Sequence, residues 1–172
     1  TAVFMEQWIK KADTLIGLAD EDEARGRSFS AGAKLQRAAL YLFNGERMLA
    51  HGAPGRIEAF KKAGATFRKA MTLGGENCER VEIAIDGGTM PALYTRAPGE
   101  GAKPCVVYCN GLDSNKELLY WTRLPEALAR RFTYACLSGR WDRAESFLED
   151  DAVQRAEFDR AGRSGRQHVG HP

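Results

Sequence analysis

The sequence predicts an α/β fold in which a helical layer precedes the first strands of a sheet. Three observations carry this. The first 73 or so residues place apolar side chains at steps of three and four. From residue 79 the period falls to two, and a strand–loop–helix–strand order follows, the signature of a parallel crossover. The last 35 residues, Ser138 to Pro172, obey neither pattern. The chain therefore divides into a helical region (1–78), a partial sheet-bearing core (79–137) and an atypical tail (138–172).

Taken in order, Trp8, Ile9, Leu15, Ile16 and Leu18 predict a first helix that ends before the charged stretch Asp20–Arg27, with Glu21-Asp22-Glu23 in a solvated loop. Leu35, Ala38, Leu42 and Leu49 form a stripe within Ser30–His51, with Ser28 or Ser30 as the N-cap. His51 would end that helix, where an imidazolium meets the negative end of the dipole. Ile57, Phe60, Gly64, Phe67 and Met71 mark a third helix over Pro54–Leu73, and Gly74-Gly75 supplies its stop. Such stripes must be buried against one another or against another layer.

In the middle, Val81, Ile83 and Ile85 alternate with Glu82, Ala84 and Asp86, a half-exposed strand. Asp86-Gly87 is a hairpin turn, because glycine reaches positive φ without strain. The strand Thr89–Thr95 returns antiparallel, and Pro91 marks it as an edge. Pro104–Cys109 is a continuous apolar run, which predicts a central strand buried on both faces, with Cys105 and Cys109 packed in the core. After the tight loop Asn110–Ser114 come a helix over Lys116–Arg131 and a strand over Phe132–Leu137, parallel to 104–109. Strand 132–137 is expected to lack its neighbour, which leaves an open sheet edge and predicts poor solubility of the isolated chain.

Composition excludes several function classes. The net charge is only +2, too small to call for a nucleic-acid partner. No run approaches the roughly 18 apolar residues of a membrane span. The N-terminal TAVFMEQWIKKAD has neither an apolar h-region nor a small-residue cleavage site, so a cytoplasmic location is expected. Cys78, Cys105, Cys109 and Cys136 then read as free thiols. They form no C-x-x-C pair and no cluster with His51, His168 or His171, so neither a metal nor another cofactor is expected.

Chemistry concentrates at Asn110-Gly111-Leu112-Asp113-Ser114. This loop joins a strand to a helix N-terminus, whose N–H groups lack intrahelical partners and can stabilise an oxyanion, and Gly111 permits close backbone approach. The structural alternative is a capping box, Ser114-Asn-Lys-Glu117.

The run VEIAIDGGTMPALYTRAPGEGAKPCVVYCNGLDSNKELLYW resembles the start of the α/β-hydrolase domain, in the group that includes 2,6-dihydroxypseudooxynicotine hydrolase and the FrsA-like esterases. FSAGAKLQRAALYLFNGERML is similar to the helical region before the hydrolase core of that group, and the likeness spans about Phe29 to Phe132. It implies that the sheet is the opening, truncated, of an α/β-hydrolase sheet. It also implies an oxyanion-hole N–H from Leu112 or Asp113, with Gly111 shaping the turn. The full-length relatives would cleave ester or carbon–carbon bonds of a small-molecule substrate through a serine nucleophile.

The triad is not found here. The family needs Ser in a G-x-S-x-G elbow, then Asp, then His, and this sequence contains no such elbow. In Gly162-Arg-Ser164-Gly165 the glycine directly follows the serine, and Ser28-Phe-Ser30-Ala-Gly32 begins with serine instead of glycine. Asp113 lies upstream of where a nucleophile belongs, and His168 and His171 read as tail residues. No catalytic residue is assigned. The tail holds six arginines but none of the eight lysines. It reads either as an out-of-frame translation of GC-rich DNA or as an extension with a helix around 144–160. An inactive truncated hydrolase is the leading reading, with a homo-oligomer left open. The other is a helical interaction module: Ala63–Ala70 resembles the second helix of a tetratricopeptide repeat, although a shift of 34 residues finds no second copy.

Overall fold

The computed structural model describes residues 2–50, 52–85, 88–111 and 114–137. The elements are α1 (Ala2–Ala24), α2 (Ser28–Arg47), α3 (Arg56–Gly74), β1 (Glu79–Ile85), β2 (Gly88–Thr95), β3 (Cys105–Cys109), α4 (Lys116–Ala129) and β4 (Thr133–Leu137). The turn expected at Asp86-Gly87, the helix end expected at His51 and the readings of the tail 138–172 fall outside the described residues.

α2 is the middle helix, packed against α1 on one side and α3 on the other. Its predicted stripe is buried throughout: Leu35, Ala38, Leu42 and Leu49 are all at most 8% exposed. Glycine lets the neighbours approach closely. A Cβ on Gly32 would lie 2.8 Å from the Gly74 backbone nitrogen, and one on Gly45 would lie 2.9 Å from the Trp8 Cβ. In α3 the buried centre is Ala59, Ala63, Phe67 and Ala70, so small residues set the contact line while Ile57, Phe60 and Gly64 flank it half-buried. Gly75, at φ 62°, ends α3 by turning its N–H back onto the Met71 and Thr72 carbonyls.

Two expectations about the helical layer are corrected. α1 runs straight through the charged stretch, so Glu21-Asp22-Glu23 is its last turn and not a loop. Asp22 is buried because its carboxylate accepts hydrogen bonds from Lys34 and Ser30 of α2, which also hold its pKa below the usual carboxylate value. Ser30 is thereby committed to Asp22. The N-cap of α2 is Arg27, with no side-chain cap bond, so neither Ser28 nor Ser30 caps the helix.

The sheet order is β1-β2-β4-β3. β1 and β2 form the expected antiparallel hairpin, and β3 and β4 the expected parallel pair. Among the described residues the strand expected in the centre, 104–109, is at the edge, and 132–137, expected to lack a neighbour, is paired on both sides. β4 inserts between β2 and β3, and it is β4 that is buried, with Tyr134 at 1% and Cys136 at 0% exposure. β3 is exposed at four of its five positions, Cys105 and Cys109 included, so these thiols are not core residues. Both β3 and β4 are apolar and hydrogen-bond in parallel; composition alone does not say which goes inside. β2 lies inside the sheet, so the edge expected from Pro91 is not found; Pro91 opposes Glu82 of β1 and precedes Ala92–Thr95, the described stretch paired to β4.

α4 covers one face of the sheet, burying Leu119, Tyr120, Leu124 and Ala127 with Leu93, Tyr134 and Cys136 in the same core as the helical layer. Phe67 of α3 joins the two parts, meeting Tyr120 and Trp121 edge-on with ring centroids 5.7 Å apart.

Candidate functional site

The loop between β3 and α4 lies where a strand delivers the chain to a helix N-terminus. Asn110 fixes its first half. Its backbone N–H continues the ladder to the Leu137 carbonyl at 3.3 Å, while Nδ2 donates to the carbonyls of Gly111 (3.0 Å) and Ser114 (2.7 Å). One amide thus ties both ends of a five-residue turn, reinforced by the Ser114 N–H on the Gly111 carbonyl at 3.4 Å.

The second half is fixed by the start of α4. Asn115, in extended conformation, caps the helix through Oδ1, which accepts from the Leu118 N–H at 2.9 Å. The expected box on Ser114 is therefore displaced by one residue: the Ser114 hydroxyl donates to the Asn115 carbonyl at 3.4 Å. Asparagine and serine are near-equal caps, so their order in the chain did not decide between them. Lys116 and Glu117 follow, both nearly buried and ion-paired at 3.0 Å. Behind them the Cys136 thiol of β4 donates to the Lys116 carbonyl at 3.3 Å, and burial pushes that thiol up to about 12. A thiol so raised stays protonated at neutral pH and is no nucleophile.

Of the residues expected to form half an oxyanion hole, Gly111 is described and Leu112 and Asp113 are not. Gly111 is exposed, and among the described residues a Cβ there would meet nothing within 4 Å. Among the described residues no group of three His, Cys, Asp or Glu side chains is placed to hold a metal ion. No described helix is long and apolar enough to cross a membrane. Sequence reasoning missed Asn110 as the staple of the loop. It also missed the buried Lys116–Glu117 pair, for which the adjacency of opposite charges at a helix start was the available signal.

A second polar junction lies where the linker after α3 enters β1. Glu76 accepts from the Tyr120 hydroxyl at 3.2 Å and from Gln36 Nε2 at 3.3 Å, and Asn77 donates to the Arg96 carbonyl at 3.3 Å. The linker is thus tied to α2, α4 and β2 together. Burial pushes the neighbouring Cys78 thiol up to about 11, which makes it inert.

No family model matches the sequence. The chain is 32% identical over 121 residues to 2,6-dihydropseudooxynicotine hydrolase of Paenarthrobacter nicotinovorans, a match covering 66% of this chain and 30% of that protein. The crystal structure of 2,6-dihydroxy-pseudo-oxynicotine hydrolase superposes with a TM-score of 0.66 at 26% identity, over 79% of this chain and 38% of that one. A structure of AbyA5 aligns with 78% of this chain and 34% of its own at a TM-score of 0.48 and 23% identity. The chain thus spans about a third of the length of the relatives it matches. The likeness to α/β-hydrolases read from the sequence holds over this part of the chain.

Proposed function

We propose that the chain is the helical region (1–78) and the opening of the core (79–137) of an α/β-hydrolase, and that these 172 residues alone do not catalyse serine-dependent hydrolysis. The hydrolase relatives support the first half. The observation that carries the second is the sequence itself: it holds the strand–loop–helix of the oxyanion donor, Gly111, Leu112 and Asp113, and contains no G-x-S-x-G elbow. The two donors of such a hole come from this loop and from the residue after the nucleophilic serine, so a chain without the elbow lacks the attacking group and one donor together.

In this reading the complete protein cleaves an ester or carbon–carbon bond of a small organic substrate. The loop supplies one N–H to the developing oxyanion, Gly111 clears the approach, and Asn110 and Asn115 hold the turn rigid at either end. No metal or cofactor is required for this chemistry. Without the nucleophile the remaining loop stabilises a charge that nothing in the chain generates.

Two measurements test the proposal. Hydrolysis of p-nitrophenyl esters by the 172-residue chain is expected to equal that of a Ser114→Ala variant; a rate that depends on any single serine contradicts it. The DNA downstream of the codon for Leu137, read in its other two frames, is expected to encode a G-x-S-x-G elbow. Its absence from both frames contradicts the truncated-hydrolase origin of the tail.

A further inference from the structure

Tyr120 supports an inference that deepens the hydrolase reading and rests on it for the meaning of the loop. We propose that Tyr120 is a positioning residue for the candidate oxyanion loop: it fixes the first turn of α4 to the capped end of α3, and so sets where the turn from Gly111 to Ser114 stands.

The anchor begins in α3. Gly75 stops that helix at φ 62°, and Glu76 after it donates its N–H to the Met71 carbonyl at 3.0 Å. That is the 6→1 bond of a Schellman cap, so the Glu76 backbone belongs to the helix end. Its side chain reaches the other way. Oε2 accepts from the Tyr120 hydroxyl at 3.2 Å, and Oε1 accepts from Gln36 Nε2 of α2 at 3.3 Å. One carboxylate thus joins α2, the end of α3 and α4.

Tyr120 is itself held. It is 3% exposed, and its ring meets Phe67 of α3 edge-on with centroids 5.7 Å apart. A ring so packed has little freedom to swing its hydroxyl off Glu76. Burial raises the pKa of the phenol, so the hydroxyl keeps its proton and remains a donor at neutral pH. The Cys78 thiol and the Thr95 hydroxyl also neighbour the phenol, but Glu76 is the charged acceptor, which makes the stronger bond. Phenylalanine would fill the core as well; the hydroxyl is the part that packing does not need.

From Tyr120 the path to the loop is one helical turn. The sheet grips that turn from below: the Cys136 thiol donates to the Lys116 carbonyl at 3.3 Å and the Tyr134 hydroxyl to the Leu119 carbonyl at 3.1 Å. Tyr120 supplies the grip from the helical layer. Asn115 caps the same turn on the Leu118 N–H, and Ser114 before it bonds the Gly111 carbonyl. A shift of the turn therefore carries the loop with it.

Amide hydrogen exchange of the 172-residue chain tests this at Ser114 and Leu118, whose N–H groups bond within the loop and its cap. Tyr120→Phe keeps the ring, removes the hydroxyl and should retain the wild-type circular dichroism. Exchange at both amides is expected to quicken about tenfold, the size of one hydrogen bond to a charged acceptor. Glu76→Ala should match it, and the double variant should be no faster than either single one. Glu76→Gln, which keeps an acceptor oxygen, should restore most of the protection. A hydrogen bond that only stabilises the fold would quicken the amide of Phe43, buried in α2, and leave Ser114 and Leu118 at the wild-type rate. That pattern, or additive effects in the double variant, would overturn the proposal. Failure of the hydrolase reading would show separately, as the absence of an elbow from the downstream DNA, whatever these rates are.

Discussion

Around α2 the molecule is closed, and around β3 it is open. Leu35, Leu42 and Phe43 are at most 1% exposed, and two glycines of α2 bring its backbone against α1 and α3. On β3, four of the five residues are exposed, with Val107 at 61%. The far edge of the sheet shows that exposure alone is not the difference. β1 is also an edge, but it carries Glu79, Arg80 and Glu82, with an Arg80–Glu82 ion pair at 2.5 Å. Charged side chains guard an edge against further pairing; an apolar one invites it. Among the described residues β1 is thus a charged edge and β3 an apolar one.

The largest test of this contrast is truncation of a large side chain on each side. Phe43→Ala should lower the unfolding free energy by about 3–5 kcal/mol, through lost burial and the cavity left behind. Val107→Ala should change it by less than about 0.5 kcal/mol in the monomer. Urea denaturation followed by circular dichroism measures both, and equal losses would erase the contrast. Glycine substitution gives a smaller version of the same comparison. Gly32→Ala forces a Cβ to 2.8 Å from backbone that cannot easily yield, for a loss of about 1–3 kcal/mol. Gly111→Ala meets no described residue within 4 Å and should fall within about 0.5 kcal/mol of wild type.

Smaller still is the loop itself. Asn115→Ala removes the cap on Leu118 and should cost about 1 kcal/mol, while Ser114→Ala, which removes no cap, should cost less. The reverse ranking would return the cap to Ser114. The acid limb of stability reports on the closed side. Asp22 has a folded pKa below its unfolded value, so its contribution is fully present above about pH 4 and is lost as pH falls through the folded value. The melting temperatures of wild type and Asp22→Asn should therefore differ by a constant amount between pH 5 and 7 and converge in stronger acid. A gap that is unchanged down to pH 2 would mean that the Lys34 and Ser30 contacts do not discriminate the ionised carboxylate.

Much of the architecture was legible because it rests on local pattern. The Leu35–Leu49 stripe, the hairpin strands and the 116–129 helix follow from period, and the parallel β3–β4 pair from the strand–helix–strand order. What was not legible depends on which particular side chains and strands meet in the fold. Asp22 reads as a solvated charge until Ser30 and Lys34, eight and twelve residues later, are seen to fold back on it. Cys105 and Cys109 read as core because an apolar strand is normally interior, and only the insertion of β4 leaves them exposed. At the candidate site, the glycine loop was legible from its place between strand and helix. The Asn110 staple was not, since its acceptors are backbone carbonyls that the sequence does not distinguish.

The central claim is that a hydrolase-like loop is present in a chain that holds no nucleophile to use it. A fluorophosphonate probe, which reacts covalently with activated serines, tests this most directly when labelling of the 172-residue chain is followed by peptide mapping. Removing a triad leaves no activated serine, so no stoichiometric adduct is expected on Ser114, Ser138, Ser146 or Ser164, while a longer chain carrying a G-x-S-x-G elbow in the corrected frame labels at the elbow serine. Stoichiometric labelling of any one of those four serines in the 172-residue chain would contradict the account.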